Sequence, residues 1–150
     1  MIIVQATEKH ISELAPLFDA YRIFYGQKTN LEAATIFLKK RFSQSESVVF
    51  IAYENEVAVG FTQLYTTFSS VTLEPFFILN DLYVDKNHRA KGVGEALLKF
   101  AQSHCINMGF KGLQLETAID NPAQKLYERL QWKKDPNFLH YFWSAPKKPS

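Results

Sequence analysis

The stretch NHRAKGVGEAL, residues 87–97, places two glycines one residue apart, after basic residues and before an apolar, helix-like run. Gly92 and Gly94 let the backbone approach a bulky group closely, since glycine has no side chain. The helix predicted from Val93 has unpaired N–H groups and a partial positive charge at its first turn. The spacing therefore predicts a cradle for a phosphate or pyrophosphate.

Two other interpretations of this turn stay open from the residues alone. Gly92 fits a simple turn, with Arg89 and Lys91 on a solvated face. The GVG triplet also follows a predicted strand and opens a helix, as in a dinucleotide-binding fold, and Glu116 lies about one strand–helix–strand unit later. Against this second interpretation, Leu97 stands at the third glycine position of that fingerprint, and the preceding strands are predicted to be antiparallel.

Hydrophobic periodicity predicts the elements that position this turn. Apolar residues at three- and four-residue spacing indicate helices, and short β-branched runs indicate strands. Asn55 falls where a hairpin turn would join two strands, and Asn121 is the predicted N-cap of the last helix, with Pro122 at its first position. The predicted strands are 2–7, 47–54, 57–68, 76–85, 111–117 and 137–143, and the predicted helices are 11–25, 31–42, 93–108 and 121–130.

The element order β-α-α-β-β-β-α-β-α-β predicts an α/β fold with a mixed sheet and one parallel strand pair across the glycine turn. The 150 residues suit a single domain, 1–150, with a flexible tail from about 145. A net charge of +2 is too small for a nucleic-acid surface, and no apolar run approaches the roughly 18 residues of a membrane span. The single cysteine, Cys105, excludes an internal disulfide, and the four histidines show no metal-ligand spacing. We expect a cytoplasmic protein that binds no nucleic acid, membrane or metal.

Two motifs resemble those of the GNAT N-acetyltransferase superfamily. Arg89–Gly94 matches the acetyl-CoA signature [Q/R]-x-x-G-x-[G/A] at every fixed position. The segment NPAQKLYERLQW, residues 121–132, is similar to the second family motif, with Asn121 and Tyr127 in register. Gln131 departs from the family pattern, which usually has glycine before the aromatic residue. The resemblance covers nearly the whole chain and implies a GNAT-like fold.

By this resemblance, acetyl-CoA is the cofactor, and its phosphates are expected on the backbone amides of the glycine turn. The pantetheine arm is expected along the preceding strand, which in this family splays from its parallel neighbour. An N–H group near Leu82 or Tyr83 is expected to hold the developing oxyanion. The implied cofactor-binding residues are Leu82, Tyr83, Val84, Arg89, Ala90, Lys91, Gly92, Val93, Gly94, Asn121 and Tyr127.

The implied reaction is direct transfer of the acetyl group to a primary amine. An alkyl ammonium has a pKa near 10, so it must lose a proton before attack, and the leaving thiolate must gain one. The resemblance makes Tyr127 the general acid. Asp81 is a candidate base, a ligand for the substrate ammonium or a structural hydrogen-bonding group, because polyamine-type relatives carry Glu where Asn80 stands. A water chain is a further alternative. Tyr25, Asn80 and Asp81 are the expected acceptor-binding residues.

The acceptor expected from the family is a small amine, a polyamine or an amino acid, and a protein acceptor stays open. An aromatic wall from Tyr21, Phe24, Tyr25 and the loop at 68–71 is predicted to line its site. The resemblance also implies a homodimer, for which the aromatic strand at 137–143 would be a sensible interface. A catalytically silent acetyl-CoA binder and a nicotinamide-binding domain are the alternative functions.

Overall fold

Five strands form one mixed sheet in the order β1-β2-β3-β4-β5. The first four strands pair antiparallel, and β5 lies parallel to β4. Short hairpins join β2 to β3 and β3 to β4, whereas a helical crossover is required before the parallel strand. The strands are β1 (Ile2–Gln5), β2 (Ser47–Glu54), β3 (Val57–Ser69), β4 (Glu74–Val84) and β5 (Leu113–Gln114).

Four helices complete the fold in a computed structural model that describes residues 1–147. They are α1 (Ile11–Phe24), α2 (Leu31–Ser43), α3 (Val93–Asn107) and α4 (Gln124–Arg129), with 3-10 turns at Glu8–His10 and Lys86–His88. The chain forms two units, Met1–Glu116 and Thr117–Ser150, and the whole sheet lies in the first. Within residues 1–147, every helix is too short or too polar to cross a membrane.

Helices cover both faces of the sheet. Residues 49–52 of β2 are all fully buried, as expected of a strand with a packed layer on each side. On the α1/α2 face, which α1 and α2 cover, the ring of Phe18 lies 6.1 Å from that of Phe61 on β3. On the opposite α3 face, the ring of Phe50 lies 4.9 Å from that of Phe100 in α3.

The close packing of α3 on the sheet depends on Gly60 of β3. A Cβ atom at this position would lie 2.9 Å from the Tyr83 carbonyl oxygen and 3.2 Å from a Val93 methyl carbon. The carbonyl oxygen belongs to the backbone of β4, so it cannot rotate away. Gly60→Ala is therefore expected to lower the free energy of unfolding by about 1–3 kcal/mol, measured by urea denaturation.

Gly112→Ala is the matched control for Gly60→Ala. A Cβ atom at Gly112 would meet nothing within 4 Å, so its free energy of unfolding should change by no more than about 0.5 kcal/mol. Equal losses in the two variants would mean that the entropy of the unfolded chain, and not the contact with Tyr83, sets the cost.

The predicted elements through α4 are confirmed, with shifted boundaries. The hairpin at Asn55 forms with φ angles of 48° and 67° at Asn55 and Glu56, the signature of a type I′ turn. The predicted strand at 111–117 shrinks to β5, two residues long. The helix predicted from Asn121 begins at Gln124, because the Gln124 and Lys125 N–H groups donate to the Asn121 and Pro122 carbonyls three residues back, as in a 3-10 turn. The Asn121 side chain accepts from the Ala123 N–H, as predicted for a cap.

The prediction of a sixth strand at 137–143 is wrong. Within the described residues this segment pairs with no strand, and its large apolar side chains are about four-fifths exposed. A β-strand needs a neighbour for its N–H and C=O groups, and strand-favouring aromatic residues alone do not supply one. The single domain stays a prediction. So does the flexible tail, whose residues 148–150 lie outside the described part of the chain.

Candidate active site

A β-bulge at Asn80 is the central feature of the site. Gln63 of β3 pairs with Asp81 and Leu64 pairs with Leu79, so Asn80 has no partner across the ladder. One extra residue reverses which side chains face which way. Before the bulge, the Phe77 ring lies 5.5 Å from His104 on the α3 face. After it, Asp81 lies on the α1/α2 face.

The bulge coincides with the end of the parallel ladder. β5 pairs with β4 at Phe77 and Ile78 alone, and a bulged strand bends away from its neighbour. Past this point the outer edge of β4 has no ladder partner among the described residues. The Asp85 N–H donates to the Val59 carbonyl at 2.8 Å, and facing residues alternate along an antiparallel pair. Leu82 and Val84 therefore direct their N–H and C=O groups toward this open edge.

The glycine turn after β4 is shaped for an anion. Asp85 caps its first part by accepting hydrogen bonds from the Asn87 N–H and His88 Nδ1, at 3.1 and 2.9 Å. The His88 hydrogen bond lowers the pKa of the Asp85 carboxyl. Ala90 and Gly92 both adopt left-handed backbone conformations, with φ of 60° and 83°. A Cβ atom at Gly92 would meet nothing within 4 Å, so space for a phosphate exists before the amides of α3.

The Arg89 side chain contacts the neighbouring strand and helix. Its Nε donates to the Val84 carbonyl oxygen at 2.9 Å. Its guanidinium carbon lies 5.5 Å from the ring centre of Phe24 in α1 and 5.4 Å from that of Tyr83 in β4. These distances are within the range of cation–π attraction.

Asp81 is a buried carboxyl that pairs with amides and with no cation in the described part of the chain. It is 3% exposed. Gln63 Nε2 donates to one carboxyl oxygen, and Asn80 Nδ2 donates to the other at 2.8 Å. Burial raises the pKa of Asp81, while hydrogen bonds from Gln63 and Asn80 oppose that shift. Such a carboxyl takes a proton more readily than an exposed one.

Three tyrosines lie around this carboxyl and the bulge. The Tyr21 hydroxyl donates to the Asn80 carbonyl oxygen at 3.2 Å. Burial and then the Asp81 carboxylate raise the pKa of Tyr21, and the same two causes raise the pKa of Tyr65 to about 12. Both phenols are therefore neutral donors at physiological pH. Tyr25, which is exposed, packs its ring 5.0 Å from that of Tyr21.

The second unit contains the remaining predicted residues. Tyr127 lies in α4, and α4 ends in a Schellman motif. The Gln131 N–H donates to the Glu128 carbonyl, and the Trp132 N–H donates to the Tyr127 carbonyl at 2.9 Å. The Tyr127 and Trp132 rings are 6.0 Å apart, the hydrophobic contact that accompanies this motif.

Gln131 occupies the left-handed position of this motif with φ of 68°. Glycine adopts that conformation without strain, whereas other L-residues do so at a cost of about 1–2 kcal/mol. Gln131→Gly is therefore expected to raise the free energy of unfolding. The gain should be limited to about 1 kcal/mol, because glycine loses more backbone entropy on folding. Gln124→Gly, at the first residue of α4, also removes the side-chain hydrogen bonds to the Ala118 and Ile119 carbonyls and should instead lower the free energy of unfolding. The same sign in both variants, in urea titrations, would contradict the role of the turn.

The structure brings together the predicted residues of the first unit. Asn80 and Asp81 lie beside Tyr21, Tyr25 joins them through ring contacts, and the residues from Leu82 to Gly94 form the open edge and the turn. The sequence analysis did not predict Gln63 or Tyr65 at the site. It predicted Tyr21 as part of an aromatic wall but not its hydrogen bond to Asn80. A glutamine inside an otherwise apolar strand was the available signal for Gln63. The 68–71 loop is not part of this cluster, because Phe68 lies five residues along β3 from Gln63, about 17 Å.

Comparison with known proteins identifies the family. A model of the acetyltransferase (GNAT) family matches residues 13–132. The chain belongs to the GNAT acetyltransferase family. It is an acetyl-CoA-dependent N-acetyltransferase of GNAT type, and the predicted mixed-sheet fold is that of the family.

Individual GNAT relatives match over different lengths. The chain is 44% identical to an uncharacterized N-acetyltransferase, YhfO, of Bacillus subtilis over 149 residues, 99% of this chain and 100% of that protein. It is 32% identical to a D-amino-acid N-acetyltransferase of Saccharomyces cerevisiae over 88 residues, 57% of this chain and 55% of that one. A crystal structure of a probable acetyltransferase matches with a TM-score of 0.92 and 38% identity, covering 99% of this chain and 100% of that one.

Proposed function

We propose that this GNAT enzyme acetylates the primary amine of a small molecule, either a simple amine, a polyamine or an amino acid. The observation that carries the proposal is the buried Asp81 carboxyl, which has no cationic partner among the described residues and lies at the bulge beside an open strand edge. A cationic amine supplies the missing charge, and neighbouring tyrosine rings attract cations.

Acetyl-CoA supplies the acetyl group as a thioester, and the chain offers two features that fit the rest of that molecule. The open edge at Leu82–Val84 suits the pantetheine amides, as in the addition of a strand to a sheet edge: Leu82 and Val84 face outward and Tyr83 lies between them, facing β3. The turn then suits the phosphates, which the amides at 89–94 would hold, with added charge from Lys91. Asn121 and Tyr127 are assigned to cofactor binding on the match of their motif alone.

Two residues are proposed to transfer the protons of the reaction, one as general base and one as general acid. Asp81 accepts the proton that the acceptor ammonium must lose, and its raised pKa suits that task. Tyr127 donates a proton to the departing thiolate, an assignment that the family motif supports. The Leu82 N–H, at the open edge, is the proposed oxyanion donor. One proton enters at Asp81 and one leaves from Tyr127, so exchange with water restores the starting state.

A homodimer in the cytoplasm is the proposed working form. The resemblance to dimeric members supports it, and so does the exposed aromatic segment at 137–143, which includes Tyr141, Phe142 and Trp143 at 80–84% exposure. Such a contiguous apolar segment indicates a contact surface. Light scattering should give the mass of two chains, and removal of residues 137–150 should give one.

The first experiment is thiol release from acetyl-CoA across polyamines, D- and L-amino acids and a lysine peptide. The D-amino-acid N-acetyltransferase relative supports the inclusion of both amino-acid enantiomers. Turnover of a small amine supports the proposal, whereas turnover of the peptide alone indicates a protein acceptor. Binding of acetyl-CoA with no turnover on any amine indicates a silent binder and contradicts the proposal.

A matched glycine pair tests the cofactor turn. Gly92 and Gly109 stand at opposite ends of α3, both with left-handed φ and with no atom within 4 Å of an added Cβ. Gly92→Asp puts a carboxylate where the phosphate is expected and should raise the KM for acetyl-CoA about tenfold or more. Gly109→Asp carries the same charge and backbone strain about 25 Å away, so it should leave that KM unchanged. Equal effects would contradict the assigned phosphate site.

A further inference from the structure

We propose that Arg89 is a positioning residue that couples the glycine turn to the acceptor wall on α1, and that its side chain is not a phosphate ligand. The inference rests on the proposed function, because it assigns the acceptor site to the tyrosines beside Asn80 and Asp81. It concerns how binding of one substrate prepares the site for the other.

The contacts of Arg89 carry the first step. Its Nε already donates to the Val84 carbonyl oxygen at 2.9 Å. The guanidinium carbon lies 5.5 Å from the Phe24 ring and 5.4 Å from the Tyr83 ring. A phosphate on the turn would bind the backbone N–H groups. The Arg89 guanidinium points to Val84, Phe24 and Tyr83 and is not needed for that contact. The guanidinium instead bridges the last residue of α1 to β4.

An unbroken series of aromatic contacts continues from that bridge to the acceptor site. The Phe24 ring lies 5.2 Å from Tyr25, and Tyr25 lies 5.0 Å from Tyr21. The Tyr21 ring also lies 6.3 Å from Tyr83, and its hydroxyl donates to the Asn80 carbonyl at 3.2 Å. This series of contacts is the route by which we expect a shift of the turn to reach the bulge.

The exposure of this wall explains why it needs the bridge. Phe24 and Tyr25 are 61% and 58% exposed, so few core contacts hold the end of α1. Gly26 follows with a left-handed φ of 88° and ends the helix. Arg89 supplies a cation–π contact to Phe24 at this exposed end of the helix, and it is itself held on β4 by the Val84 carbonyl and the Tyr83 ring. We expect the wall to be well ordered when the turn is held by phosphate.

The experiment measures KM for each substrate in Arg89→Leu and Lys91→Leu. Both variants remove one positive charge from the turn, and both originals are exposed. At saturating acetyl-CoA, Arg89→Leu is expected to raise the acceptor KM about tenfold, the loss of one hydrogen bond and two cation–π contacts. Lys91→Leu should instead raise the acetyl-CoA KM, more so at low salt, and leave the acceptor KM unchanged.

Phe24→Leu approaches the same contact from α1 and keeps the turn sequence intact, so a poorly folded Arg89→Leu does not remove the test. It should raise the acceptor KM, and the double variant should be no worse than Arg89→Leu. If Arg89→Leu raises only the acetyl-CoA KM, with the salt dependence of Lys91→Leu, Arg89 is a phosphate ligand and the inference is overturned. Failure of the wild-type enzyme on every amine overturns the proposed function itself, which separates the two failures.

Discussion

Asp81→Asn is expected to lower kcat about 10²- to 10⁴-fold, the usual contribution of a general base, and yet to stabilise the fold at neutral pH. Asparagine cannot accept a proton, so the acceptor ammonium loses its proton to water. The amide fits the same space, because the buried Gln63 Oε1, which has no partner among the described residues, can turn to accept from the new NH₂ group.

The stability gain has a defined pH dependence. Burial raises the pKa of Asp81 above its ordinary value of 3.8, so folding favours the protonated form. The favourable contribution of this carboxyl is complete below the unfolded-state pKa and is lost as pH rises through the folded-state pKa. Urea titrations should show that the advantage of Asp81→Asn is absent near pH 4 and grows toward neutrality. An advantage that shrinks as pH rises would contradict the direction of the shift.

Asn80→Ala separates the carboxyl from its surroundings. This change removes one hydrogen bond that lowers the pKa of Asp81 but keeps the carboxyl. The acidic limb of the kcat/KM profile should therefore move to higher pH in Asn80→Ala and disappear in Asp81→Asn. If Asp81→Asn keeps kcat within about threefold, a water chain takes the proton.

Tyr127→Phe is expected to lower kcat about 10²- to 10⁴-fold by removing the proposed general acid. The KM for acetyl-CoA should change little, since the lost interaction is one that forms as the thiolate departs. The ring contact with Trp132 is retained by phenylalanine, so the free energy of unfolding should stay within about 0.5 kcal/mol. Steady-state kinetics and urea denaturation measure the two quantities.

Tyr53→Phe is the matched control for Tyr127→Phe. Tyr53 lies on β2, away from the bulge and the turn, and its hydroxyl donates to Glu13 of α1 at 3.2 Å. Removing this hydroxyl should leave kcat unchanged. A thiolate that is a better leaving group needs less protonation by an acid. An acetyl thioester of a more acidic thiol should therefore raise the kcat of Tyr127→Phe more than that of the wild type. Unchanged kcat in Tyr127→Phe would assign that residue to packing alone.

The sequence predicted the parts of the site that local pattern controls. The glycine turn, α3 and the hairpin at Asn55 follow from residues close together in the chain, and the structure has them at the predicted places. The motif match was specific enough to identify the family. These features need no knowledge of distant contacts, since glycine, capping and periodicity act within a few residues.

The bulge at Asn80 escaped prediction because FFILNDLYV is apolar on both faces. A strand covered on both sides has no polar–apolar alternation, so the pattern does not reveal a one-residue change of register. The shortened β5 accompanies that bulge and was missed with it. The segment at 137–143 failed for a different reason, since its aromatic residues favour a strand but its pairing depends on a partner.

The unpaired residue in β4 makes the site sensitive to chain length more than to side-chain identity. Asn80 is exposed, so other amino acids can replace it without altering the backbone pairing. Loss of one residue there would return Asp81 to the opposite side of the sheet and let the parallel pairing run on. For folding, single-residue deletion scanning should find one intolerant position where substitution scanning finds a tolerant one, although substitution still removes the Asn80 hydrogen bond to Asp81. Homologous sequences should accordingly vary in the amino acid at position 80 and keep one residue between those that correspond to Leu79 and Asp81.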